Sequence, residues 1–367
     1  MVLVNVIKDF SQQKFFKFIL LIIVLCLSTL TRKYVHMYAA TSNILLVFII
    51  GTICLLKLRK ERRSIGRRDV IVLTGCDSGL GYSFALHCKK NLGAYVVAGV
   101  HNIDSPGAKE LAKAGIHVYS LELTSSESVR SFVDHIRSHL KNKKLALRCF
   151  VNNAGVMVFG EFEWQTEEQV RYQVEVNLLG TMRMTKEILP LLREYSSRLI
   201  NVTSHCAFEP LPGVAAYSST KSALAGWTTA LRVELKKYGV HVINFIPGSF
   251  VLQSNILSQQ RKHFDAMEAA MTEEAKSFYS SYFTSYAKYL CGLPCKAEDA
   301  TQMLENNKLY KVFQGALLDL DPHAVYKCEP LRYTVYHFLF KITPTKVRDW
   351  LVEWFVRMPR WKKNFSN

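Results

Sequence analysis

Short apolar runs alternate with longer amphipathic stretches from residue 69 onward. Residues 70–73 (VIVL), 94–99, 117–123, 146–151, 198–203 and 240–246 are compact and of strand length. Stretches of helical character, such as 82–91, lie between them. Strands alternating with helices predict an α/β fold: a parallel, doubly wound sheet with helices on both faces. No segment repeats internally.

The two ends have a different texture. Residues 18–30 carry no charge and are mostly Ile, Leu, Val and Phe, and residues 37–56 add 20 uncharged positions. A run of about 20 apolar residues is long enough to cross a bilayer as a helix. The first run is shorter, so one or two transmembrane helices are expected, with a cleaved signal peptide as the alternative for the first run. Lys57, Arg59, Lys60, Arg62, Arg63, Arg67 and Arg68 follow at once, which places that side in the cytosol. Between 332 and 363, Trp350, Trp354, Phe355 and Trp361 are interleaved with Lys and Arg. Two readings of this segment stay open: one lying at a membrane interface, the other packed as an amphipathic helix on its own domain.

Charge sharpens that division. The 367 residues carry a net +17, of which residues 1–68 hold +10 and residues 327–367 hold +6. The middle is left with +1. A basic excess usually points to nucleic acid or an anionic membrane. Its confinement to the ends argues against a nucleic-acid-binding core. The nine cysteines are scattered and odd in number, and Cys291 with Cys295 is the one close pair. No second pair completes a zinc set, so they read as structural thiols and no metal is expected.

Strand, glycine-rich turn, helix and strand follow one another from residue 70 to 99 as a βαβ unit. The turn is TGCDSGLG, residues 74–81, with Gly75, Gly79 and Gly81. Such glycines let backbone approach a pyrophosphate at a helix N-terminus. The spacing is G-x-x-x-G-x-G, a weak signal alone, but further motifs accompany it. Asn152-Asn153-Ala154-Gly155 ends the fourth strand, and Asn177 lies on a following helix. Ser204 ends the fifth strand, Tyr217 comes thirteen residues later, and Lys221 lies four beyond it. Pro247-Gly248 ends the sixth. Tyr217 and Lys221, at i and i+4, share a helix face. A nearby ammonium, together with the positive charge of an oxidised dinucleotide bound at the glycine turn, is expected to lower the phenol pKa and make Tyr217 a workable acid and base. Ser204 would hydrogen-bond the substrate oxygen.

This set resembles the classical short-chain dehydrogenase/reductase family over residues 69–255, and more loosely to about 335. TGCDSGLG, VVAGV and SPGAKEL resemble the branch containing retinol, type 2 17β-hydroxysteroid and 3-hydroxybutyrate dehydrogenases. The resemblance implies a Rossmann-type sheet with Ser204, Tyr217, Lys221 and Asn177 as catalytic residues, Asn177 holding a water that relays protons from Lys221. It implies cofactor contacts at Thr74, Gly75, Ser78, Gly79, Leu80, Gly81, Glu122, Asn153, Ala154, Gly155, Tyr217, Lys221, Pro247 and Gly248. The expected organisation is a membrane anchor and basic linker at 1–68, the catalytic domain at 69–325 and a helical, amphipathic extension at 326–367.

The end of the second strand reads AGVHN, with neither a carboxylate nor an Arg, and Ser78 stands where some NADP-binding relatives carry a cation. NAD is the expected cofactor. Leu252 stands where the family has a Thr for the nicotinamide carboxamide, so that group needs another partner. Residues 255–325 are rich in aromatics, suited equally to a pocket or to core packing. The expected activity is hydride transfer between the cofactor and a lipophilic secondary alcohol or ketone, a steroid, or a retinoid. The expected location is the endoplasmic reticulum membrane, with the catalytic domain cytosolic. No nucleic-acid partner is expected. The family often forms dimers or tetramers, so a homo-oligomer is within expectation. The alternatives are an NADPH-dependent lipid carbonyl reductase and a catalytically silent membrane protein that uses the fold for binding.

Overall fold

The computed structural model describes residues 21–24, 46–51, 61–248, 256–293 and 301–361. It divides into two compact units, Met1–Glu61 and Arg62–Asn367. In the first, residues 21–24 and 46–51 are helical, and Leu46, Val47, Phe48 and Ile49 are exposed. Most of the two apolar runs, where the spans were expected, lies outside the described residues. No described helix is long and apolar enough to cross a membrane.

The second unit carries the sheet. In chain order it contains β1 (Asp69–Thr74), α1 (Gly79–Lys90), β2 (Tyr95–Val100), α2 (Pro106–Lys113), β3 (His117–Ser120) and α3 (Ser126–Lys143). Then come β4 (Ala146–Asn152), α4 (Glu167–Val174), a π-helical turn (Glu175–Gly180), α5 (Thr181–Glu194), β5 (Arg198–Val202), α6 (Ala215–Lys236) and β6 (His241–Ile246). It ends with α7 (Gln260–Ala270), α8 (Glu273–Cys291), α9 (Asn307–Leu318), β7 (Val325–Lys327), α10 (Leu331–Ile342) and α11 (Thr345–Val356). The strands order as β3-β2-β1-β4-β5-β6-β7, and every pairing is parallel. This is the doubly wound sheet that the alternation predicts. The order reverses between β1 and β4, where ligands enter such sheets.

Strand residues alternate between two cores. Ile71, Leu73, Val96 and Ala98 join Phe84, Phe313 and Leu309 of α1 and α9 on one face. Val70, Val72, Val97 and Leu147 join Phe132, Ile136, Ile188 and Leu231 of α3, α5 and α6 on the other. One irregularity breaks the alternation: Val70 pairs with Leu147 but Ile71 pairs with Cys149. The skipped Arg148 forms an ion pair with Asp69.

Three details depart from expectation. The third strand stops at Ser120 rather than reaching 123, although Leu121 and Leu123 remain buried in the core. β7, a three-residue edge strand, extends the sheet where none was expected. Arg62 pairs with buried Asp319 at 2.9 Å, and the Arg63 N–H donates to the Leu318 carbonyl, so part of the basic stretch is bound to the sheet unit. No disulfide joins the six described cysteines, and five of them are buried.

Candidate active site

The glycine turn is shaped by close backbone contacts. Gly75 and Gly79 have φ of +66° and +55°, a region that favours glycine. A Cβ on Gly81 would lie 2.1 Å from the Gly75 carbonyl oxygen and 2.5 Å from the Asn153 Nδ2. Asn153 clamps the turn: its Nδ2 donates to the carbonyls of Thr74 and Gly75 at 2.9 and 3.0 Å. The Thr74 Oγ1 accepts from the N–H groups of Asn153 and Ala154. Ser78 is the N-cap of α1, Leu80 packs against the core, and no acidic residue occupies the helix's first turn. The N–H end of α1 thus suits a pyrophosphate.

At the other side of the switch point, four side chains converge. Asn177 sits in the π-helical turn and is fully buried. Its Oδ1 accepts from the Val156 N–H at 2.7 Å, and its Nδ2 donates to the Val156 carbonyl and to the Thr220 Oγ1. The Lys221 Nζ donates to the Val202 carbonyl at 3.1 Å. The Asn177 Oδ1 and the Lys221 Nζ each lie 3.3 Å from the point a Cβ on Gly155 would occupy. The Lys221 Nζ lies 5.8 Å from the centre of the Tyr217 ring, as the shared helix face requires. Ser204, just beyond β5, caps a short 3-10 turn, its Oγ accepting from the Cys206 N–H at 3.2 Å.

Electrostatics differ from the expectation in one respect. Tyr217 is almost wholly buried, and burial pushes its phenol above the ordinary value of 10, with Cys206 adding to the rise and Ser204 opposing it. The expected lowering of the phenol is therefore not what this protein scaffold does by itself. Desolvation is the largest influence on both groups: burial also lowers Lys221 from 10.5 to about 8.

Pro247 and Gly248 end β6, where Gly248 has φ of +93° and a Cβ would lie 2.2 Å from the Cys328 carbonyl oxygen. Leu252 lies outside the described residues. Behind Ser204, His205 is buried, stacks on His337, and is lowered to about 4 by burial, with His337 and Lys327 adding to the effect and Glu329 opposing it.

The adenosine end corrects the reading of AGVHN. Two carboxylates reach the end of β2 from elsewhere in the chain. Asp77, within the glycine turn, accepts from the His101 and Asn102 N–H groups at 2.9 and 2.8 Å. Glu122 lies 3.0 Å from the His101 Nδ1 and accepts from Thr124. Its burial raises the pKa, but the Thr124 and His101 bonds outweigh that and lower it. Sequence reasoning passed over Asp77, although it lies inside the quoted turn.

The family model for short chain dehydrogenase matches residues 69–263, more than half the chain. The chain belongs to the short-chain dehydrogenase family. Estradiol 17-beta-dehydrogenase 2 of Rattus norvegicus is 37% identical over 226 residues, 60% of this chain and 57% of that protein. D-beta-hydroxybutyrate dehydrogenase, mitochondrial, of Mus musculus is 37% identical over 196 residues, 52% of this chain and 57% of that protein. Retinol dehydrogenase 7 of Mus musculus is 26% identical over 324 residues, 84% of this chain and 96% of that protein. The matches to the first two thus span little more than half of those proteins.

Proposed function

We propose that this short-chain dehydrogenase is a membrane-anchored, NAD-dependent oxidoreductase acting on a lipophilic secondary alcohol or ketone. The carrying observation is that Lys221 and Asn177 meet at Gly155, with Tyr217 on the Lys221 side of α6 and Ser204 acting on its phenol, next to a glycine turn braced by Asn153. The names of the relatives, estradiol, hydroxybutyrate and retinol dehydrogenases, support an alcohol or ketone substrate. The N-terminal apolar runs favour a steroid or retinoid over a short polar acid. The apolar runs and the cations behind them also favour an endoplasmic-reticulum membrane with the catalytic domain cytosolic.

The residues of the turn and of the switch point fit a nicotinamide dinucleotide. Gly75, Gly79, Gly81 and the first N–H groups of α1 would hold its pyrophosphate. Asn153, Ala154 and Gly155 would flank its adenine ribose, and Lys221 its nicotinamide ribose. Pro247 and Gly248 would lie beside the nicotinamide. When bound in oxidised form, the nicotinamide supplies a hydride acceptor and a positive charge. Ser204 donates a hydrogen bond to the substrate oxygen and holds it beside Tyr217. The Tyr217 phenolate takes the proton of the alcohol as hydride leaves, and the Tyr217 hydroxyl returns it in the reverse direction. The Lys221 ammonium, held by the Val202 carbonyl, favours the phenolate. Asn177, pinned between Val156 and Thr220, is placed to hold a water that connects Lys221 to solvent. The carboxylates of Asp77 and Glu122 repel a 2′-phosphate and favour NAD over NADP.

The test is turnover of steroids, retinoids and hydroxy acids on membranes carrying the chain, with each cofactor. Tyr217→Phe is expected to lower kcat by at least about a thousandfold, as loss of a proton-transfer group does, while NADH binding, read by nicotinamide fluorescence, stays within twofold of wild type. Full turnover in this variant would overturn the mechanism.

A further inference from the structure

The C-terminal pair of helices has one side packed on the domain and apolar side chains left exposed on the other among the described residues. Tyr336 and Phe340 of α10 pack with Phe355 of α11, and Leu211 of the loop between Ser204 and Tyr217 packs against them. The same Leu211 also packs against the cluster holding Cys206 and Tyr217. The opposite face is apolar and open. Leu331, Val335, Phe338 and Ile342, at i, i+4, i+7 and i+11 of α10, are 50, 49, 53 and 61% exposed. Trp350 and Trp354 of α11 are 61 and 51% exposed and stack with their rings 6.4 Å apart.

Water is a poor environment for four large aliphatic or aromatic side chains in register beside two tryptophans. The surrounding charge identifies what covers them. Residues 331–361 hold six Lys and Arg against Asp349 and Glu353. Exposed tryptophans and an apolar stripe on a net-basic helix pair match the headgroup region of a bilayer, where the ring body is apolar, its N–H is wet and cations meet anionic lipid, although Arg332 itself is turned inward over the Tyr336 and Phe355 rings.

We propose that the outer face of α10 and α11 lies in the headgroup layer of an anionic phospholipid bilayer. The inner face of the pair, through Leu211, packs against the loop between Ser204 and Tyr217, so the helices lie between that loop and the lipid. The proposal rests on the membrane-anchored reading above but concerns a surface separate from the N-terminal runs. It resolves the choice left open for this segment in favour of both halves: α10 and α11 pack on the domain by one face and meet lipid by the other.

The five tryptophans, at 164, 227, 350, 354 and 361, make the test direct, because none lies in the N-terminal runs. The full chain is reconstituted in phosphatidylcholine and phosphatidylserine vesicles whose acyl chains are brominated near the headgroup, and tryptophan emission is compared with unbrominated vesicles. Quenching is expected in wild type, and at least halved in Trp350→Phe/Trp354→Phe. In Phe338→Glu, quenching is expected to fall while turnover of a water-soluble substrate is kept. A chain that floats with the vesicles yet shows no quenching, or equal quenching in the double variant, overturns the proposal and leaves the N-terminal anchor standing. A chain that fails to float overturns both. Disulfide crosslinking of two Trp354→Cys copies on unquenched vesicles assigns the face to a second copy and likewise overturns it.

Discussion

Lys221 shows how a single side chain is made useful at a cost. Its Nζ is buried, with its ammonium directed at the Val202 carbonyl, and its pKa falls from 10.5 to about 8. The folded form therefore gives up this proton between pH 8 and 10.5, where the unfolded chain still holds it. The penalty is fully present below pH 8 and is relieved as the pH rises through that window, by roughly 3 kcal/mol. Lys221→Met removes the titration, so wild type should gain on this variant by about that amount between pH 7.5 and 10.5. Urea unfolding at both pH values reads it; equal gaps at the two would contradict the burial argument. Asp77 makes the second residue-scale case. Its carboxylate caps the His101 and Asn102 N–H groups. In Asp77→Ser the negative charge leaves, and the NAD-to-NADP ratio of binding constants should fall at least about tenfold, or 1.4 kcal/mol. Fluorescence titration with NADH and NADPH measures it, and an unchanged ratio would move the preference to Glu122.

Among the elements, the turn at 74–81 and the π-helical turn at 175–180 matter most. The glycines, the NNAG run and the order of Ser204, Tyr217 and Lys221 were legible because each depends on chemistry at fixed spacing. The unusual backbone at Asn177 was not. A helical pattern at that position reads the same whether its hydrogen bonds span four residues or five, and only packing against Val156 and Thr220 selects the wider turn. Gly81→Ala tests the turn. The added methyl meets the Gly75 carbonyl and the Asn153 side chain that clamps it, so the turn must open. Dinucleotide binding should weaken at least about tenfold, with Tm lowered; calorimetry and thermal melts check both, and wild-type affinity would show that the turn yields freely.

Across the molecule, one aromatic group joins the sheet to its outer layer. Phe84 of α1 and Phe313 of α9 stack at 3.8 Å, and Phe245 of β6 meets each ring at 5.7 Å edge-on. None of the three belongs to the catalytic set. Phe313→Ala should cost about 3–5 kcal/mol while leaving kcat near wild type below the unfolding range. Denaturant midpoints and turnover at low temperature separate the two effects. A large fall in kcat without loss of stability would mean that this core shapes the site.

Periodicity and spacing by themselves determined the parallel α/β sheet, the glycine turn and the order of Ser204, Tyr217 and Lys221, because these follow from local pattern and residue type. Only the tertiary structure decided how these groups are charged and which distant ones join them. Burial raised Tyr217 and lowered Lys221, since desolvation depends on everything packed around a group. The carboxylates missing from AGVHN arrive from Asp77 and Glu122, over twenty residues away on either side, because β1, β2 and β3 lie edge to edge and end at one rim. The open face of α10 and α11 likewise depends on packing, because periodicity marks an apolar stripe but only the fold decides which stripe the domain covers.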